Sequence, residues 1–207
     1  SAAAAAFSAM CRERAPAPGK RRKKPRPGAI APPPKRQRVE HPFEAEVEDH
    51  CETGAEAYAH VAPLLDGLAR HLGKDRSTIS IYDPYYCAGG AKARLNELGF
   101  EAVYNENEDF YAKLEAGEVP PHDVLLTNPP YSADHIERLL RFAASGNGGR
   151  PFLLLLPAWV HRKAYYEDAM RGLKGVAFVA PERRYYYWAP KQFSKERLAQ
   201  SKGLGET

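Results

Sequence analysis

The chain has 207 residues, 43% of them apolar and 27% charged, enough for one core of roughly 150 residues with appendages. Its formal charge of +4 is unevenly spread: residues 1–39 hold 11 Lys and Arg against Glu13 alone, leaving 19 basic and 25 acidic residues beyond, so an arm of about +10 precedes a remainder of about −6. No apolar run reaches 18 residues, which argues against a membrane-spanning helix, and Cys11, Cys51 and Cys87, widely spaced with no CxxC pair, argue against a zinc site or a disulfide framework.

Seven of the 18 prolines fall between Pro16 and Pro34 with hardly any large apolar residue among them, so this arm cannot offset the entropy of folding and is expected to be disordered. Its clusters KRRKKPRP (20–27) and PPPKRQRV (32–39) have the form of a two-part nuclear import signal or of an electrostatic tether for nucleic acid; a solubilising tail is the plainer reading. SAAAAAFSAMCRER lacks the long apolar core of a secretory signal but reads also as an Ala- and Arg-rich, acid-poor organelle transit peptide. A nuclear location is expected, with mitochondrion or plastid as the alternative. Residues 40–193 are expected to form the folded domain and 194–207 a tail.

Thr53-Gly54-Ala55-Glu56 matches a capping box, and Tyr58, Val61, Leu64, Leu65, Leu68 and Leu72 follow at mostly helical spacing. Pro63 is expected to end or restart this helix and Gly73 to close it. Next, Thr78 to Tyr82 alternates as a strand that stops at Asp83-Pro84, a turn carries Gly89-Gly90, and AKARLNELGF has helical spacing. FEAVYN (100–105) reads as a second strand and HDVLLTN (122–128) as a third. After it, SADHIERLLRFAAS is a helix with Ser132 as its N-cap. GNGG (146–149) is a turn, RPFLLLLP a fully buried parallel strand, AYYEDAMRGL a short helix, and VAFVAP with RRYYYWAP a closing antiparallel pair.

Strands alternating with helices imply a doubly wound α/β sheet with right-handed crossovers. In such sheets ligands lie at the carboxyl ends of the strands. Asp83, Asn105 with Glu106, and Asn128 all end strands, so they are expected to share one crevice.

Asn128-Pro129-Pro130-Tyr131 follows the strand HDVLLT, and that strand follows one ending in Asp-Pro by about 45 residues. This arrangement resembles S-adenosylmethionine-dependent amino-methyltransferases of the [DNS]-P-P-[YFW] type, above all the N6-adenine enzymes, over residues 50–190. The resemblance implies a Rossmann-like methyltransferase sheet with S-adenosylmethionine as cofactor. HCET (Cys51, Glu52, Thr53) is similar to the upstream cofactor segment of that family. DPYYCAGG (Asp83, Pro84, Tyr85, Gly89) is similar to its D-P-x-x-G-x-G loop, and DFY (Asp109, Phe110) to the acidic-aromatic element that meets the cofactor adenine. Glu106, Glu108 and Asp109 are the candidates for the cofactor ribose. The chain departs from the pattern at Cys87, which stands where the family usually has a glycine.

The residue types fit that chemistry in their own right. An exocyclic amine is a poor nucleophile because its lone pair is delocalised. Two acceptors, the Asn128 side-chain oxygen and the Pro129 carbonyl, can each take one N–H and free the lone pair, while Pro129 and Pro130 keep them rigid. Tyr131 offers a π-face to an extruded base, worth on the order of 1–3 kcal/mol, which Phe would offer equally well. Plainer readings stand beside these: a strand-to-helix turn for the whole motif, a turn cap for Asp83, a tight turn for Gly89, a solvated acidic loop for 106–109, and a helix start for Cys51 to Thr53.

Arg183, Arg184, Tyr185, Trp188 and Lys191 interleave base with aromatic as single-strand nucleic-acid surfaces do, and Trp159, Arg162 and Lys163 extend the groove; an aromatic edge hairpin is the alternative. His135 and His161 have no metal-like spacing around them, and no metal is expected. The expected activity is methylation of an exocyclic base amine, N6 of adenine in RNA before DNA, since no target-recognition domain is apparent. A partner protein for targeting is admitted. Methylation of a protein glutamine amide and a non-catalytic nucleic-acid scaffold are the alternatives.

Overall fold

The computed structural model describes residues 6–9, 42, 52–183 and 185. In chain order its elements are β1 (Ala6–Ala9), α1 (Ala55–His71), β2 (Ile81–Tyr82), α2 (Gly90–Glu97), β3 (Val103–Tyr104), α3 (Phe110–Ala116), β4 (Val124–Thr127), α4 (His135–Arg141), β5 (Phe152–Pro157), α5 (Ala164–Met170) and β6 (Phe178–Val179).

Why α1 forms is legible in its stripe: Ala57, Tyr58, Val61, Ala62, Leu65 and Ala69 are buried at three- and four-residue spacing. The expected capping box does not form, because Gly54 is the N-cap and no side chain bonds there. Nor does Pro63 break the helix. Pro63 and Ala59 both face solvent, so the carbonyl that loses its helical partner can bond water instead. Gly73, at φ 67°, closes the helix as expected.

The strands β3-β2-β4-β5 form a parallel sheet, and β1 and then β6 continue it beyond β5. Side chains alternate along each strand, and both faces are covered. Ile81, Val124, Leu126, Leu153 and Leu155 enter one core with α1 and α2. Tyr82, Leu125, Phe152, Leu154 and Leu156 enter a second core with α4 and α5. The unbroken run FLLLLP is therefore two interleaved sets, one for each face, and all six residues are buried.

Two expectations are corrected here. Of the closing antiparallel pair, Phe178–Val179 is a strand that pairs parallel with β1, while its expected partner RRYYYWAP lies outside the described residues except for Arg183 and Tyr185. Ala6–Ala9, placed with the disordered arm, is a strand whose backbone supplies partners to the otherwise open edge of β5; the rest of the arm lies outside the described residues. Ser132 does not cap α4. Ala133 turns the chain at φ 45°, and the helix starts only after Asp134. The sequence reading also passed over α3. Its signals were Asp109, whose carboxylate accepts from the Tyr111 and Ala112 N–H groups, and Gly117, left-handed at φ 70° at its end.

From β2 the chain goes outward to β3 and then returns to the other side of β2 as β4. This reversal opens a crevice beyond the carboxyl ends of β2 and β4, where Asp83 and Asn128 lie.

Candidate active site at the carboxyl edge of the sheet

Asp83 follows β2 directly and is buried. It accepts a 2.5 Å bond from Thr127 Oγ1 at the end of β4 and a 3.2 Å bond from the Tyr85 N–H two residues on. The second bond is the turn cap offered as its plainer role; the first ties the two strands that flank the crevice. Burial pushes the Asp83 carboxyl up to about 7, against these bonds, which pull it down. Asn105, 1% exposed, donates to the backbone oxygens of Asp83 and Tyr85, while its own Oδ1 is buried without a partner. The strand ends expected to converge do so.

Asn128 sits one residue past β4. Its Nδ2 donates to Thr53 Oγ1 at 3.1 Å, and its Oδ1 accepts from the Tyr131 hydroxyl at 2.7 Å. Thr53 is buried just ahead of α1 and shares its hydroxyl with Tyr58. Burial first, and then the charge of Asp83, keep the Tyr58 phenol neutral, far above its ordinary range. A cavity of about 20 Å³ lies against Thr53, Tyr58, Thr127 and Asn128. That is room for about one water.

The glycine loop behaves as its sequence suggests. Gly89 is left-handed at φ 75°, and a Cβ there would stand 2.8 Å from the Tyr86 hydroxyl. A Cβ at Gly90 would meet Glu52 Oε1 at 2.6 Å, and Glu52 is paired with Arg94 of α2 at 3.1 Å. Cys87, the departure from the family pattern, has φ 52°: it holds the conformation that a glycine would take without strain. Cys87→Gly is therefore expected to raise thermal stability, by up to about 1 kcal/mol after the added freedom of the unfolded chain is counted. A thermal melt showing a lower midpoint instead would mean that contacts of the Cys87 side chain outweigh the strain.

Other expected site residues are placed differently. Glu106 is exposed and paired with Lys92 at 2.8 Å. Asp109 is engaged as the cap of α3, and Phe110 is buried in the second core. Pro84, Glu106, Glu108 and Phe110 nevertheless line one small cavity with Asp83. Tyr85 is joined to α3 and α4 through Tyr111: its hydroxyl lies 3.0 Å from that of Tyr111, which meets His135 Nδ1 at 2.6 Å, while the Arg138 guanidinium covers the Tyr111 ring at 3.5 Å. This network, like Tyr58, Arg94 and Thr127, was missed, because contacts between elements leave no spacing signal.

No protein-family model, curated protein or solved structure matches this chain.

Of the residues expected to meet a substrate, Trp159 is 41% exposed just past β5, with Lys163 Nζ 5.4 Å from its ring centre, and Arg162 and Arg183 are exposed. Tyr185 is not offered to a ligand: it is 7% exposed and lies against His60, 2.9 Å from its Nδ1. Cys51, Arg184, Trp188 and Lys191 lie outside the described residues. Among the described residues no group of three or more His, Cys, Asp or Glu could hold a metal ion, and no helix is long and apolar enough to cross a membrane.

Proposed function

We propose that this chain is a Rossmann-like S-adenosylmethionine-dependent amino-methyltransferase acting on an exocyclic base amine, N6 of adenine in RNA, in the nucleus. The observation that carries the reading is Asn128 at the reversal of the sheet, bonded to Thr53 and Tyr131 and followed by two prolines, one strand away from a carboxyl and a glycine loop.

The residues present fit the cofactor. Asp83, Glu106 and Glu108 line one small cavity together with Lys113, an acceptor set suited to hydroxyl and ammonium groups, and the buried Asn105 Oδ1 has no partner among the described residues. The left-handed Gly89 and the crowded Gly90 permit close backbone approach. When bound, the cofactor supplies a methyl group on a sulfonium centre. Asn128 Oδ1 and the Pro129 carbonyl would accept the two N–H bonds of the amine and free its lone pair for the methyl group, and the nitrogen would give up one proton to solvent. Tyr131 stacks on the extruded base.

Nucleic acid is supported by the exposed Trp159 with Lys163 beside it and by the basic run from Arg12 to Arg38. The acidic excess beyond residue 39 favours a second reading, in which the amine is a glutamine amide of a protein partner.

S-adenosylmethionine is expected to bind at micromolar affinity and raise the melting temperature by mass action, and nucleoside mass spectrometry of RNA treated with the protein is expected to show N6-methyladenosine. No heat and no thermal shift at millimolar cofactor would refute the reading.

A further inference from the structure

A side-chain amide is nearly symmetric in shape and opposite in chemistry at its two ends, and rotation about its last bond is soft. For Asn128 the difference decides function: oxygen toward the amine accepts N–H, whereas NH₂ toward the amine sets donor against donor. Pro129 and Pro130 fix the backbone of this motif but cannot choose between the two orientations. The choice falls to whatever touches the amide.

We infer that Thr53 is a positioning residue that holds the Asn128 carboxamide with its oxygen facing the crevice. Thr53 Oγ1 lies 3.1 Å from Asn128 Nδ2. In that contact Thr53 presents an oxygen lone pair to Asn128, and only the NH₂ end of the amide satisfies it. At the other end the Tyr131 hydroxyl donates to Oδ1 at 2.7 Å, which agrees in sense and leaves that oxygen a second lone pair. A chain of donors thus runs from Tyr131 through Asn128 to Thr53, and both contacts on the amide favour the same orientation. The role differs from the cofactor contact implied for Thr53 by resemblance, and its consequence for catalysis rests on the reading under Proposed function.

Thr53→Val keeps the shape and removes the acceptor; Thr53→Ser keeps the acceptor. Two measurements on the full chain separate the possibilities. In NMR spectra the Asn128 side-chain NH₂ is expected to exchange with solvent at least about 10-fold faster in Thr53→Val and at the wild-type rate in Thr53→Ser. In single-turnover methyl transfer Thr53→Val is expected to lose about 10-fold in rate with cofactor affinity unchanged, and Thr53→Ser to restore it. Unchanged amide exchange in Thr53→Val overturns the inference, as does a variant that loses cofactor affinity and keeps its rate. If amide exchange responds but the wild type transfers no methyl group, the orienting contact stands and the proposed function falls.

Discussion

Asn128→Ala is expected to slow methyl transfer by roughly 10²- to 10³-fold, the loss typical of one acceptor or donor that acts on the reacting group in the transition state. The defect should appear in the single-turnover rate, with cofactor affinity intact. Folding should change little, since Asn128 is half-buried and its bonds run to Thr53 and Tyr131 on the crevice wall. Tyr131→Ala should instead weaken substrate engagement. Rate measurements beside thermal melts decide the matter: an ordinary turn would lose stability in both variants with no selective kinetic defect. If Asn128→Ala keeps more than about half of the wild-type rate, against that 10²-fold expectation, the amine-clamp assignment is wrong.

The second large effect concerns Asp83, whose carboxyl burial raises from an ordinary 3.8 to about 7. In the unfolded chain the group titrates near its ordinary value, so below about pH 4 it is protonated in both states. Between about 4 and about 7 the folded state holds the proton that the unfolded state has lost, and stability falls as pH rises through that window. Above it the folded protein carries a buried charge. Asp83→Asn is therefore expected to stabilise the fold at about pH 8 by a few kcal/mol, and to do nothing comparable below about pH 4. The same variant should weaken binding of the cationic cofactor by on the order of 10²-fold, as loss of a charged hydrogen bond does. In the wild type, cofactor affinity should fall as pH drops below about 7, with a proton released on binding that calorimetry in buffers of different ionisation enthalpy can count. A pH-independent affinity, or a variant less stable than wild type at about pH 8, would contradict this account.

Much of the architecture was legible because it rests on periodicity. The stripe of α1, the strand-turn-helix through DPYYCAGG and the buried run FLLLLP follow from spacing alone, and spacing also brought Asp83, Asn105 and Asn128 to one edge. Strand ends were overdrawn: Thr78 to Tyr82 reduces to Ile81–Tyr82, since ladder length depends on neighbours that the sequence does not identify. Cap assignments erred at Thr53 and Ser132 for a related reason. A threonine that could cap a helix was drawn into a longer-range bond with Asn128, and a left-handed Ala133 displaced the start of α4. The hydroxyl of Tyr131 was read as dispensable because stacking needs only the ring; its bond to Asn128 gives it a second task that Phe cannot perform.

The interleaving of β5 makes one strand the common footing of two independent walls. Leu153 and Leu155 support the face that carries α1, and with it Thr53, whereas Leu154 and Leu156 support the face that carries α4 and α5. Trimming a side chain at an odd position lets the helix behind the Asn128 amide settle. Trimming at an even position loosens the helix that follows Tyr131 and leaves the amide's anchor in place. The wall behind Asn128 and the wall behind Tyr131 can thus be adjusted separately through neighbouring leucines of one strand. Position parity along a six-residue strand sets which of the two is altered.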